Sequence, residues 1–235
     1  MTNENHPIEK KNLKSTWVVR GIFLPVFLII FTLLLAGRID YWQGWLYNIL
    51  NILILLVTFI VLRDKKGLIE ERLKPGMGMK KFDKIYFAVS SPAFFLMMIV
   101  SILDGGRFHW QPQIPVSIVF AGVFLYLIGH TFFLWAKHVN NFFATVVRIQ
   151  TDRGQTVCKT GPYRFVRHPG YVGGILFGLA SPLVLGSFWG VIPAVVSAFC
   201  LLIRTSLEDK VLKKELPGYL EYTKEVRYRL IPGIW

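Results

Sequence analysis

Residues 161–203 read GPYRFVRHPGYVGGILFGLASPLVLGSFWGVIPAVVSAFCLLI. The stretch changes character at Tyr171. Before it, Arg164, Arg167 and His168 stand among glycine and proline; after it, no Lys, Arg, His, Asp or Glu appears until Arg204. So long an apolar run, broken at Gly186-Ser187, predicts two short membrane helices in a tight hairpin. Polar groups at membrane depth are costly and are retained for a purpose. The 161–171 segment is therefore read as the mouth of a site for an anionic ligand, at the end of a helical bundle.

Four apolar blocks precede this stretch. Val18 to Ala36 holds one charged residue, Arg20; Trp42 to Leu62 and Ile85 to Leu103 hold none; Ile114 to Ala136 holds only His130. Each approaches the ~20 residues that carry a helix across a bilayer. The expected fold is all-α, a polytopic membrane helical bundle of five to six spanning segments closed by the C-terminal hairpin, its last two segments shorter than the rest. The composition agrees: 53% of the 235 residues are hydrophobic, and the mean hydropathy is +0.47.

The net charge of +13 is unevenly spread. All but two of the 27 Lys and Arg residues, Arg38 and Arg107, fall in segments 1–20, 63–84, 137–167 and 204–229. These alternate with the apolar blocks so as to share one side, which predicts a multi-pass protein with both termini cytoplasmic. A basic face beside anionic membrane lipid accounts for the charge. A nucleic-acid groove would need basic and aromatic residues interleaved on a soluble domain, so no nucleic-acid partner is expected. The oligomeric state is left open.

Residues 1–14 are read as a disordered cytoplasmic N-terminus. Residues 15–112 are read as three spanning helices with a charged cytoplasmic loop, which carries Pro75-Gly76 and a short interfacial helix from Leu68 to Leu73. Residues 113–235 hold the chemistry. The first apolar run is too long for a signal-peptide core and reads as a retained anchor. Trp42, Trp45, Tyr47 and Trp110 mark membrane interfaces. Cys158 and Cys200 suggest neither a disulfide nor a metal site. His130 and His138 lack nearby carboxylates, and no metal is expected.

None of the phosphate-cradling glycine loops, nucleophile elbows or paired-histidine zinc motifs is present. His168-Pro169 is more telling. Proline turns the preceding residue away from helical geometry and suits a first turn itself, so His168 is placed at the N-cap of a helix. The N–H groups of that helix start, with Arg164 and Arg167, would favour a carboxylate or phosphate. Gly170, Gly173, Gly174 and Gly178 leave a bare helix face, which suits close helix packing or a groove for a flat ligand. Arg204 and Glu208 share a face at i, i+4. The Glu208-Asp209 pair suits ion pairing with Arg204, Lys210 or Lys213, or contact with a cationic or hydroxyl-bearing group of a ligand. Leu216-Pro217-Gly218 stops the last long helix, and Tyr219 and Tyr222 lie on one face of a short one after it.

The run Gly161-Pro162-Tyr163-Arg164, then Arg167-His168-Pro169 and Tyr171, resembles the signature of the isoprenylcysteine carboxyl methyltransferase family, relatives of the phospholipid N-methyltransferases. Its second half is matched by Glu208-Asp209, Tyr219 with Tyr222, and Arg229-Leu230-Ile231-Pro232. Asp40-Tyr41-Trp42-Gln43-Gly44-Trp45 and Asn141-Phe142-Phe143-Ala144 are similar to runs in bacterial members, which implies a bacterial inner membrane. The resemblance implies an S-adenosylmethionine-dependent methyltransferase with a cytoplasmic-side cofactor pocket. It implies that His168 and Tyr171 contact the cofactor and that Lys159, Thr160, Gly161 and Tyr163 form its wall. It implies that Arg167 and Glu208 flank the transfer point and that Arg229 faces the substrate, a lipophilic small molecule or prenylated acceptor. The tail departs from the prenylcysteine enzymes, with Glu225-Val226-Arg227 where they carry Arg-Val-Pro. The acceptor group is thus left as a carboxylate or an amine. Membrane sterol and enone reductases, which use NADPH, share a His-Pro-x-Tyr-like segment and a similar tail and are the alternative enzyme class; a non-catalytic membrane scaffold is the other.

Overall fold

The computed structural model describes residues 19–72, 76, 78–110 and 112–235. The expectation for residues 1–14 and the Pro75 part of the turn expected at Pro75-Gly76 lie outside the described residues. Among those described there is no strand, and the elements are helices, joined by short connections except for the long segment between Val139 and Pro169. A π-helical turn, Val19–Phe23, leads into α1, Leu24–Ala36. Pro25 explains the irregular start, because it has no N–H to donate to the turn before it. Then come α2, Trp42–Leu62, and the short α3, Lys66–Arg72. The sequence placed α3 at Leu68 to Leu73; Leu73 lies outside the described residues. α4, Lys81–Ile102, runs into a second π-helical turn, Leu103–Phe108. α5, Val116–Val139, α6, Pro169–Val184, α7, Val191–Glu215, and α8, Tyr219–Glu225, complete the fold.

Four helices, α2, α4 with its π turn, α5 and α7, are long and apolar enough to cross a membrane; the helical stretch Gly21–Ala36 and α6 are shorter. The break at Gly186-Ser187 and the stop at Leu216-Pro217-Gly218 stand as expected, but of the two arms expected to be short only one is. α6 is short, about 24 Å at 1.5 Å per residue, but α7 continues through Arg204 and the charged residues to Glu215. Those residues are good helix formers, and nothing stops the ladder until Leu216, which precedes Pro217. Gly218 then takes a left-handed conformation, φ 80°, and starts α8.

α5 packs along α6, and α7 lies across α4 and α6. Glycines allow the α5–α6 approach: a Cβ at Gly129 would sit 2.6 Å from the backbone N of Phe177, and one at Gly173 2.5 Å from the carbonyl of Gly129. The other end of the bundle is latched by Asp104. This buried carboxylate accepts the Ser187 hydroxyl at 2.6 Å, in the turn between α6 and α7. Between α5 and α6 the chain is irregular. α5 stops one turn past Ala136, and the segment that follows holds two 3-10 turns, Thr151–Arg153 and Gly161–Arg164. This irregular segment forms one wall of the site.

Candidate functional site

His168 caps α6 as its neighbour Pro169 requires, with φ −126° and ψ 59°. Its backbone N–H donates to the carbonyl of Arg229, and that of Arg167 to the carbonyl of Tyr228, both at 2.9 Å. The C-terminal tail is thereby stitched to the entrance of α6. The His168 ring stacks on the Tyr171 ring, 5.6 Å between centroids and 4° from parallel. Its Nε2 lies 3.4 Å from the Tyr219 hydroxyl and 3.5 Å from Asp209 Oδ1.

Asp209 is the hub. It is fully buried. Its carboxylate accepts Arg167 Nε at 2.8 Å, Arg229 Nε at 3.1 Å and the Tyr219 hydroxyl at 3.1 Å. Lys213 Nζ lies 3.2 Å away, one of the ion pairs anticipated for the acidic couple. Arg167 Nη2 also donates to Asp209 Oδ2, at 3.3 Å, and Nη1 holds the tail, donating to the carbonyls of Val226 and Arg227 at 2.9 and 2.6 Å. The cationic cluster expected at the head of α6 is therefore divided. Arg164 is exposed, whereas Arg167 is buried and neutralised from within.

Glu208, one residue earlier on α7, points the other way. It accepts the Tyr171 hydroxyl, and among the described residues no cation lies at ion-pair distance from it. Its expected partner Arg204 pairs instead with Asp83 of α4, Nε to Oδ1 at 2.7 Å, in a contact too bent for a hydrogen bond. Arg204 Nη2 donates to the Thr145 carbonyl at 2.9 Å, and Asp83 Oδ2 accepts the Val147 N–H at 2.7 Å. The guanidinium lies over the rings of Tyr86, Phe87 and Tyr171. Asp83 was missed in the sequence because it sits in a basic loop; the available signal was a lone acid at the edge of one apolar run matching a lone arginine at the edge of another. Arg148 fastens the same wall to α3, bonding Glu71 at 2.7 Å and Asp152 at 2.9 Å. The Glu71 bond, then that to Asp152, raises the guanidinium pKa further.

Around these groups lies a cavity of about 810 Å³ counting its open mouth. It is at the end of the bundle that carries the lysine- and arginine-rich segments. Of the residues singled out in the sequence, Tyr163, Arg167, His168, Tyr171 and Glu208 line it. Lys159, Thr160, Gly161 and Arg229 do not. Lys159 reaches outward to Glu225 at 2.7 Å. Thr160 and Gly161 begin the 3-10 turn Gly161–Arg164, with Gly161 at φ 57° against Trp135 and Val139. Arg229 lies behind Asp209, over the Trp235 ring. Tyr163 is held from both sides: Asn140 Nδ2 donates to its hydroxyl at 3.1 Å, and the Tyr222 hydroxyl to its carbonyl at 2.6 Å. Burial lifts the phenol pKa of Tyr163, Tyr219 and Tyr222 above the ordinary range.

A second, apolar groove of about 1020 Å³, counting its open side, runs between α4, α6 and α7. It shares Gly170, Tyr171 and Arg204 with the polar cavity. Arg204 is its one charged lining residue among those described.

These two spaces lie mostly on the segment that known proteins share. An alignment 146 residues long, which covers 54% of this chain, shows 28% identity to the Delta(14)-sterol reductase TM7SF2 of Mus musculus. It covers 33% of that protein, so the chain matches about a third of the relative's length. The family model of phospholipid methyltransferases matches residues 117–217. That span holds all but the first residue of α5 and the whole of α6 and α7, with Arg167, His168, Tyr171, Arg204, Glu208 and Asp209, but neither Asp83 nor Arg229. The part of the chain that forms the core of the site is thus similar in sequence to the phospholipid methyltransferase family.

Proposed function

We propose that the protein is an integral membrane methyltransferase that uses S-adenosylmethionine to methylate a carboxylate or amine of a lipophilic acceptor. The observation that carries this reading is the join of the two spaces: a polar cavity lined by the Glu208 carboxylate opens, at Tyr171 and Arg204, into an apolar groove. The residues fit the methyl donor. Glu208 and the faces of Tyr171 and His168 suit a sulfonium or ammonium, and the His168 imidazole suits a carboxylate. When bound, the donor supplies an electrophilic methyl group for in-line displacement.

The chain's own part is positioning and exclusion of water. Tyr171 fixes Glu208 by donating its hydroxyl. Arg167, which lines the cavity, and Asp209, behind it, hold the tail against the entrance of α6. A carboxylate acceptor needs no base; an amine acceptor must lose a proton, and Glu208 is the group placed to take it. The distribution of lysine and arginine supports an orientation with the cavity and both termini in the cytoplasm. The basic segments 63–84 and 204–229 would rest on anionic lipid.

Calorimetric titration with S-adenosylhomocysteine tests the reading. Saturable binding, weakened in His168→Ala, supports it. NADPH binding without S-adenosylhomocysteine binding would transfer the site to the reductase class, the second reading, favoured by the match to the mouse sterol reductase.

A further inference from the structure

The four glycines on the head of α6 do two different things. A Cβ at Gly170 would lie 2.6 Å from the Phe143 ring, and one at Gly173 2.5 Å from the carbonyl of Gly129. Those two are glycine because other atoms fill the space. Gly174 and Gly178 face the groove. A Cβ at Gly174 would meet only the tip of Leu201, at 3.3 Å, and one at Gly178 would meet nothing within 4 Å. Helix packing accounts for the first pair and leaves the second unexplained. In both of these the backbone is helical, so no turn geometry calls for glycine either.

The groove those glycines floor has a polar end and an apolar end. At the polar end lies Arg204, more than nine-tenths buried and ion-paired with Asp83 at 2.7 Å. Phe94, Phe95 and Ala198 line the groove with no charge. From Tyr171 to Gly178 is seven residues of helix, roughly 10 Å, about the reach of an extended octyl chain.

We propose that Gly174 and Gly178 are specificity-determining residues that set the bulk and length of the apolar chain an acceptor brings into the groove. The inference rests on the methyltransferase reading for the acceptor, but the chain site stands on the groove alone. A single chain lies along α6, crosses Gly174, and passes Gly178 when it is longer than about 10 Å. Its head group is then delivered to the junction of Tyr171 and Arg204, beside Glu208. A leucine at Gly178 plugs the groove one turn below Gly174 without disturbing a neighbour, because the site is open and already helical.

The test uses the full chain in lipid nanodiscs, with octanoate, palmitate, octylamine and hexadecylamine as probes and S-adenosylhomocysteine as a second ligand. The wild type is expected to bind the long chain of one head-group class more tightly than the short. Gly178→Leu is expected to lose the long chain by more than tenfold, since each expelled methylene forfeits about 0.8 kcal/mol, and to retain the short chain. Gly178→Ala is expected to bind both chains nearly as the wild type does. S-adenosylhomocysteine affinity should stay unchanged in both variants, which also reports that they fold. Long-chain binding unaffected by Gly178→Leu, or no saturable binding of any amphiphile to the wild type, would overturn the proposal. Chain binding that responds to Gly178→Leu in a protein that fails to bind S-adenosylhomocysteine would uphold the groove and sink the methyltransferase reading instead.

Discussion

Replacing Asp209 with asparagine removes one charge and almost no volume, and the structure sets what that costs. The Arg167 side chain is 5% exposed and that of Asp209 is 0% exposed. Breaking one partner of such a buried pair costs about 3–5 kcal/mol, because the surviving charge is stranded away from water. Arg229 keeps 23% of its side-chain surface and Lys213 34%, so both can turn to solvent and contribute little to the loss. For a chain of this size the expected fall in melting temperature is roughly 6–20 °C. The damage should be local first. The tail carbonyls of Val226 and Arg227 are held by the same guanidinium, so residues 226–235 should become sensitive to protease before the bundle melts. The assay is thermal unfolding in detergent beside limited proteolysis, for Asp209→Asn, Arg167→Met and the double variant. Because the methionine removes the stranded charge, the double variant should be no less stable than Asp209→Asn alone. Additive losses, or an Asp209→Asn protein as stable as the wild type, would refute the claim that this pair anchors the tail.

Gly173→Ala should destabilise the α5–α6 contact by about 1–3 kcal/mol, the usual cost of forcing a methyl into a filled space, whereas Gly178→Ala should be neutral or slightly stabilising; equal melting temperatures for the two would contradict the division between packing and groove glycines. Glu208→Gln should retain its bond from the Tyr171 hydroxyl and hence the fold, while binding S-adenosylmethionine, the charged sulfonium, more weakly relative to neutral-centred S-adenosylhomocysteine; an unchanged ratio of the two affinities would remove Glu208 from the cation site. At high pH the buried phenols of Tyr163, Tyr219 and Tyr222 should titrate late. Their pKa values are raised above the unfolded value of about 10, so the stability they contribute is intact below that pH and is lost as pH climbs through the folded values. Phenolate absorbance should therefore rise together with loss of helical circular dichroism, and early ionisation of all nine tyrosines in a still-helical protein would contradict their burial.

The helical bundle was legible because a membrane helix is a one-dimensional fact: a run of apolar residues about as long as the bilayer is thick needs no partner to declare itself. The start of α6 was legible for a similar reason, since His168-Pro169 restricts the backbone locally. The end of α7 was legible in Leu216-Pro217-Gly218, but past Ile203 the helix is carried on to Glu215 by charged residues whose partners, which lie elsewhere in the fold, were not. Arg204 shows this most plainly. In the sequence its natural partner is Glu208, one turn away; in the structure the partner is Asp83, on another helix.

What the sequence by itself determined was the segment pattern and the residue types gathered at one end of the bundle. Only the tertiary structure decided how those charges divide: Asp209 pairs with Arg167, Asp83 pairs with Arg204, and Glu208 lines the cavity, bonded by the Tyr171 hydroxyl. It also decided which glycines pack and which leave room. Local periodicity selects helices one at a time, but the pairing of buried charges and the space beside a glycine depend on atoms far away in the chain. Those exist together only once α4, α6 and α7 have met.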